Sequence, residues 1–522
     1  MAEPIKKNLW RDIASNLPGV QSYAVVIAFL LLGQQIAKFA NDPGVGWHLA
    51  DGAQILASGT VPRVDTFLSE RRSWISDQWL SDLFLYRVFE IGGWPFLYAV
   101  LAVVYMGTFF GVIYPCTRSI TKGALSATAA TFIAYKMSLI HFILRPVLLS
   151  FAIFAPLVMV AFGPLRARLR NDETLGLRIW LGIPLLFLVW AQIHPSFVLG
   201  LLVLGLVAAG ALFDLVLWSS VASPRAVVQA VLLFALAAAV TLINPYGIEL
   251  HNSILFLGRS DFFMHLNLEW LPIKFISFEG FLFFVLLAGV AFSSAIGKRY
   301  LGWRTFEYFA VVVFAIMAAR AARMLPYYAI ISVVPIAEGL VWLSTSRWAR
   351  DGYVVRLIWP IFERGGRREA LCGRGLIALG VLSIAVLVDS LLVGRVLTFA
   401  GPFGPTRDAY PYGAIQKLVV DSQAFQNKPV VITIPNWGGF TVWESRGRLL
   451  PQIDDRNTML GEDAYRSFLD GLQGPERLLS YTRSMRGDYL LLPSEPDVEL
   501  GPSCEQIYSD SVARVFRVTD SQ

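Results

Sequence analysis

Long apolar runs, each broken by a polar connection, set the pattern of this chain from residue 20 to residue 399. Eleven of them approach the length a helix needs to cross a hydrocarbon core, about 17 to 25 residues. They lie near 20–39, 95–114, 123–141, 147–164, 178–194, 197–218, 227–243, 279–296, 305–321, 325–344 and 375–399. The runs are continuous, not alternating, so they predict helices and exclude a β-barrel. The pattern changes after Gly401. Val430–Ile434 and Tyr489–Leu492 predict buried strands bounded by Pro and Gly. Asp463–Leu479 predicts a helical stretch, and Val512–Val518 alternates as an edge strand. The predicted fold is a polytopic α-helical membrane protein of about eleven spans over residues 1–400, with a polar loop at 40–94. A small soluble α/β domain follows at 401–522.

Charge then orients the spans. Lys6-Lys7-Arg11, Arg118 with Lys122, Arg166-Arg168-Arg170, Arg225, Lys298-Arg299-Arg304 and a cluster from Arg347 to Arg374 all fall on alternate connections. The positive-inside rule makes these cytoplasmic. The N-terminus is then inside, and the loop 40–94, the connections near Arg145, His194, 244–280 and Ala321–Met324, and the C-terminal domain are outside. Lys6, Lys7 and Arg11 precede the first apolar run with no small-residue cleavage site close behind, so an uncleaved first span is expected. The expected location is a bacterial inner membrane, with the C-terminal domain in the periplasm.

Composition agrees with this picture. Of 522 residues, 55% are hydrophobic and 16% charged, where a soluble domain carries about a quarter charged residues. The net charge of +6 reflects the cytoplasmic connections, not a nucleic-acid partner. Cys116, Cys372 and Cys504 form no disulfide framework and no metal-ligand spacing. No phosphate-cradling glycine fingerprint is present, so a cytosolic nucleotide-sugar donor finds no support.

Candidate chemistry concentrates in the first outer loop. Asp42 stands at the exit of the first span, followed by the turn residues Pro43 and Gly44. His48 and Asp51 follow on one side of a predicted short helix, Val45–Ala57. Asp65 comes after the Gly59-Thr-Val-Pro62 turn, and Trp74, Asp77, Gln78, Trp79 and Asp82 lead back to the membrane. A carboxylate at a bundle mouth can serve as general base on an acceptor hydroxyl. Holding a divalent ion with His48 or Asp51 is the alternative, although no metal or other cofactor is firmly indicated. Ionisable groups beside a membrane are costly and mark function by default. All five histidines, His48, His141, His194, His251 and His265, fall at the outer face under this topology.

The string DPGVGWHLADGAQILASGTVPRVDTF with SWISDQWL resembles the first periplasmic loop of bacterial GT-C type membrane glycosyltransferases, DPDxWWHLxxG, GxxPxxDxFS and HEWL. LRPVLLSF (144–151), VWAQIHPSFVLGL (189–201), INPYG (243–247), LEW (268–270) and IPNWGGFTVWE with IDDR (434–444, 453–456) resemble further elements of that family in the same order. The chain departs from the pattern at Gly44, which replaces a second acid, at Asp77-Gln78 for His-Glu, at Gln192 for Asn, and at Pro195-Ser196 for Gly-Gly.

The resemblance implies a GT-C-like fold and an inverting transfer of sugar from a polyprenyl-phosphate carrier, reached from the lipid, to an acceptor hydroxyl. The acceptor class, whether lipid, glycan or protein, stays open. Asp42, His48 and Asp51 are then the catalytic candidates. Asp65, Asp77, Arg145, His194, Asn244, Glu269, Arg320, Arg323 and Trp437 are the substrate-binding candidates. Among these, Arg145 and the Arg320/Arg323 pair suit a leaving phosphate, and the Trp437 indole, expected in a tight turn between strands, suits a sugar face. The missing second acid keeps an inactive GT-C-derived scaffold as the alternative. A transporter would show inverted repeats or broken helices at the midplane, which the sequence lacks.

Overall fold

The structure is a computed structural model and describes residues 20–35, 42–217, 223–266, 268–346, 404–496 and 499–519. Helices occupy each of the first ten apolar runs. They are α1 (Val20–Gln35), α3 (Trp79–Thr121), α4 (Ala124–Ser138), α5 (Val147–Arg170), α6 (Leu177–Ile193), α7 (Phe197–Leu217), α8 (Pro224–Val240), α11 (Phe278–Leu301), α12 (Thr305–Arg320) and α13 (Leu325–Thr345). Three shorter helices complete the bundle side: α2 (Val45–Ser58), α9 (Ile248–Arg259) and α10 (Asp261–Leu266). The eleventh expected span, 375–399, lies outside the described residues. Among the described residues, five helices are long and apolar enough to cross a membrane, and α6 and α8 are shorter apolar helices. The chain is a multi-pass membrane protein.

Burial explains the packing. In α13 nearly every residue from Leu325 to Ala337 is buried, so it is apolar all round and runs through the middle of the bundle. Leu181 and Leu185 of α6, Val228 and Leu232 of α8, and Phe281 and Phe284 of α11 are exposed large side chains. Such continuous apolar surface fits a lipid surround. The second expected span is part of a longer helix. α3 starts sixteen residues earlier, at Trp79, and breaks at Gly92-Gly93, where the backbone leaves helical angles. Pro95 follows, and the residue before a proline is biased away from helix. The apolar run marks only the part beyond the break.

Charged residues collect at one end of the bundle. There Arg166 pairs with Glu338 at 2.5 Å, Arg170 with Glu307 at 2.9 Å, and the Thr305 hydroxyl donates to Asp214 at 2.5 Å. The other end receives the C-terminal domain.

That domain is a five-stranded sheet in the order β2-β1-β3-β5-β4. Its strands are β1 (Val430–Thr433), β2 (Leu450–Pro451), β3 (Tyr489–Pro493), β4 (Cys504–Ser509) and β5 (Ala513–Val518). β1 runs parallel to β2 and β3, while β5 pairs antiparallel with both β3 and β4. The helices are α14 (Tyr412–Asp421), α15 (Pro435–Glu444), α16 (Asn457–Gly471) and α17 (Pro475–Ser484).

Two local expectations are corrected. Val512–Val518 is not an edge: β5 lies between two strands and is almost wholly buried, and β4 takes the edge. β4 reads CEQIYS and is half polar, so it carries little hydrophobic signal. Trp437-Gly438-Gly439 is not a turn between strands but part of α15. Pro435 occupies the first helical turn, where its missing N–H costs nothing. The glycines serve close approach. A Cβ on Gly46 of α2 would collide with the backbone of Gly439 and Phe440, so the domain docks backbone to backbone on the first loop.

Candidate active site between the bundle and the C-terminal domain

Asp42 stands three residues before the start of α2, and its carboxylate is buried. Arg145, from the connection between α4 and α5, donates Nε to both its oxygens, at 2.9 and 3.0 Å. The Gly44 backbone N–H donates to Oδ1 at 2.9 Å, closing an Asx turn. Arg145 also reaches Asp455 of the C-terminal domain, Nη2 to Oδ2 at 3.2 Å, and the Trp47 indole donates to the other oxygen of Asp455 at 2.9 Å. Burial works against the Arg145 charge, but Asp42 and Asp455 outweigh it and hold the guanidinium protonated beyond its ordinary range. Burial also raises the Asp455 carboxyl, against the pull of Arg145.

His48 and Asp51 lie behind this pair, one helical turn apart on α2 and fully enclosed. His48 Nδ1 stands 2.6 Å from Asp82 of α3, and its ring packs on Trp47 with centroids 3.7 Å apart. Burial pushes the His48 imidazole down to about 3, and the Arg145 charge adds to this. A neutral ring therefore donates its Nδ1 hydrogen to Asp82 and keeps Nε2 as an acceptor. Asp51 accepts from the Ser76 hydroxyl at 2.7 Å and lies within hydrogen-bonding reach of Asp82. Burial, reinforced by Asp82, raises the Asp51 carboxyl well above the ordinary range. A proton shared by the two acids satisfies both.

A second group of charges faces the same region. Glu269 pairs with Arg323 at 3.1 Å and stands 3.9 Å from His141, while the Arg323 guanidinium covers the Trp270 ring at 4.2 Å. Burial opposes the Glu269 charge, yet Arg323, His141 and Arg145 together lower its carboxyl to about 2. His194 follows α6 and accepts the Ser196 backbone N–H on Nδ1 at 3.0 Å. Its field couples to Arg323, His48, Glu269 and His141. Connections far apart in the sequence thus converge on one charged site.

The remaining candidates stand elsewhere. Asp65 is enclosed and binds Arg456 at 2.8 Å, while Arg456 also grips Asp454 at 2.6 and 2.7 Å. Arg456 lies against Trp74 as well, 4.5 Å from its centroid. This is a buried clamp between the first loop and the C-terminal domain. Asp77 accepts from the Gln78 amide at 3.3 Å, and burial raises its carboxyl to about 6. Asn244 closes its own turn, donating to Thr241 and Gly247 at 2.8 and 3.0 Å. Arg320 is exposed on the last turn of α12. Trp437 is buried inside the C-terminal domain and donates to the Ala409 carbonyl at 3.0 Å, which leaves its indole N–H occupied.

Sequence reasoning offers Asp455 only together with Asp454 and Arg456, as an acceptor groove or a salt-bridged turn, names Asp82 only among the acids of the first loop, and leaves Trp47 out. Asp455 and Asp82 are visible as acids inside the motifs IDDR and SDQWLSD, but nothing in the spacing indicates which acid faces the cleft. Among the described residues, no group of three or more His, Cys, Asp or Glu side chains is arranged to hold a metal ion.

The fold is that of the GT-C type membrane glycosyltransferases. The chain is similar to the archaeal oligosaccharyltransferase AglB from Archaeoglobus fulgidus in complex with an inhibitory peptide and a dolichol-phosphate. The TM-score is 0.58 at 12% identity, over 91% of this chain and 69% of that one. The apo form of the Archaeoglobus fulgidus oligosaccharyltransferase gives 0.55 at 12% identity, over 90% and 69%. ArnT from Cupriavidus metallidurans bound to undecaprenyl phosphate aligns at 0.44 and 12% identity, over 96% and 98%. No protein-family model and no curated protein matches the sequence.

Proposed function

We propose that the chain is a membrane glycosyltransferase that moves a sugar from a polyprenyl-phosphate carrier to an acceptor hydroxyl on the periplasmic side of a bacterial inner membrane. The observation that carries this reading is the Asp42–Arg145 pair, at 2.9 and 3.0 Å, with the Arg323 group beside it. A carboxylate and two guanidiniums at one bundle mouth suit a base and a leaving phosphate. The fold shared with a dolichol-phosphate-bound oligosaccharyltransferase supports it further.

The reaction follows from the charges. Asp42 takes the proton of the acceptor hydroxyl. The hydroxyl oxygen attacks the anomeric carbon from the face opposite the phosphate, the carbon–oxygen bond to phosphate breaks, and configuration inverts. Negative charge grows on the phosphate, where Arg145 and Arg323 can answer it with charge-assisted hydrogen bonds. Arg145 Nε occupies both oxygens of Asp42 in the resting site. Transfer of one Arg145 hydrogen bond to the phosphate would free an Asp42 oxygen to accept from the acceptor hydroxyl when the donor is present. His48, oriented by Asp82, positions α2 under Asp42.

The test is release of polyprenyl phosphate by the purified chain from polyprenyl-phosphate-linked sugars, with Asp42→Asn as control. The variant should lose at least about 100-fold in rate, the ordinary contribution of a positioned base, while its melting temperature holds. Turnover at the wild-type rate would remove Asp42 from the mechanism.

A further inference from the structure

A groove of about 400 Å³ opens between the first loop, α9 and the start of α16. Its volume is within the roughly 300–1,000 Å³ range of small-ligand sites. Its chemistry is specific. Trp74 forms one wall, and although the residue is only 4% exposed, its indole N–H has no hydrogen-bond partner among the described residues. Asn252, Ser253 and Thr458 line the same space, and their side-chain polar groups are likewise unpartnered among the described residues.

The charges at the rim cancel. Arg63 stands 3.8 Å from Glu249, covers the Tyr246 ring at 5.4 Å, and donates to the Pro245 carbonyl. Glu249 matches the Arg63 charge, so the rim presents no excess of positive charge. The groove therefore offers neutral donors and acceptors around an aromatic ring, without net charge. A neutral saccharide matches that set, because its hydroxyls are both donors and acceptors.

We propose that this groove is a carbohydrate subsite that holds sugar units of the acceptor remote from the reacting hydroxyl. This rests on the glycosyltransferase reading above and adds the acceptor class to it. The path to the active site is short. Trp74 meets Trp47 edge-on at 6.4 Å, Trp47 donates to Asp455, and Asp455 shares Arg145 with Asp42. Thr458 lies three residues beyond Asp455. Two or three sugars held in the groove therefore lie only a few side-chain contacts from Asp42. Because the groove recognises hydroxyls by hydrogen bonds, it should reject deoxy analogues strongly.

Binding of maltotriose, cellotriose and chitotriose to the full chain in lipid nanodiscs, free of sugar-headed detergent, tests this by saturation-transfer NMR. At least one trisaccharide should bind. Asn252→Phe, which fills the groove from an exposed position, should weaken it at least tenfold, and Trp74→Phe, which keeps the ring and removes the N–H, severalfold. Asp42→Asn should leave binding unchanged. If no trisaccharide binds, or if Asn252→Phe binds as tightly as wild type, the subsite is overturned. Displacement of the bound sugar by Gly-Ser-Gly would overturn it in favour of a peptide acceptor. Binding without any sugar transfer would remove the enzymatic reading and leave the groove, whereas transfer with unchanged kinetics in Asn252→Phe would remove the groove alone.

Discussion

Arg145 Nε bisects the two carboxylate oxygens of Asp42, at 2.9 and 3.0 Å, while its Nη2 holds Asp455 from the other domain. One guanidinium is therefore divided between two acids contributed by two different parts of the chain. This sets what each acid can do. Both oxygens of Asp42 are occupied by a fixed cation, and they are free to accept from a hydroxyl only when that cation turns to another anion.

The first prediction concerns the shape of this cation. A lysine places one point charge where the guanidinium places a planar fork, so it cannot serve Asp42 and Asp455 in the same geometry. Arg145→Lys should weaken donor binding at least tenfold, measured by titration with polyprenyl phosphate. Unchanged affinity would take Arg145 out of the donor site.

The second prediction concerns the clamp. Arg456 is enclosed with Asp65 and Asp454, with distances of 2.6 to 2.8 Å. Its removal leaves two carboxylates buried without a countercharge. Breaking one member of such a buried group costs about 3–5 kcal/mol. Arg456→Leu should lower the thermal midpoint of the purified protein accordingly, and tryptophan fluorescence should report the change through Trp74, on which the guanidinium lies.

The third prediction concerns acid. Arg323, His141 and Arg145 overcome burial and hold the Glu269 carboxyl at about 2, below its ordinary 4.5. The folded state thus binds its proton later than the unfolded chain. The stability this supplies is complete above pH about 4.5 and disappears as pH falls through about 2. The stability difference between wild type and Glu269→Gln, followed by denaturant unfolding, should shrink over that window. A difference independent of pH would mean that the Glu269 charge is not held by these cations.

The fourth prediction concerns domain docking. A methyl group at Gly46 would enter the space of the Gly439 backbone, which cannot rotate away as a side chain can. Overpacking of this kind costs roughly 1–3 kcal/mol. Gly46→Ala should speed limited proteolysis in the segment before α14, and cleavage at the wild-type rate would show that the contact yields.

The bundle was legible from the chain because lipid leaves the backbone few choices. Each of the first ten apolar runs became helix, and the alternation of basic connections corresponds to the separation of Arg166, Arg170 and Glu307 from Arg145 and Glu269. The start of α3 was hidden, since Trp79–Ile91 carries polar residues and the Gly92-Gly93 break separates it from the apolar run. Pro435-Asn-Trp-Gly-Gly has turn composition, yet it is helix, because small residues are needed where the domain meets α2. The site was half visible. Asp42, His48, Arg145 and Arg323 could be chosen because acids, histidines and arginines beside a membrane are costly, and Glu269 because LEW (268–270) resembles a family element. That Asp65 binds Arg456, and that Asp455 shares Arg145, depends on tertiary docking across hundreds of residues, which no local pattern encodes.

The division of Arg145 between Asp42 and Asp455 also limits how this protein can be rearranged. Grafting a foreign soluble module onto these helices, or these helices beneath a foreign module, would strip the guanidinium of one acid and tilt it wholly toward the other. Only chimeras that carry both acids with the arginine should inherit the resting balance of charge, so the two halves are expected to travel as a pair.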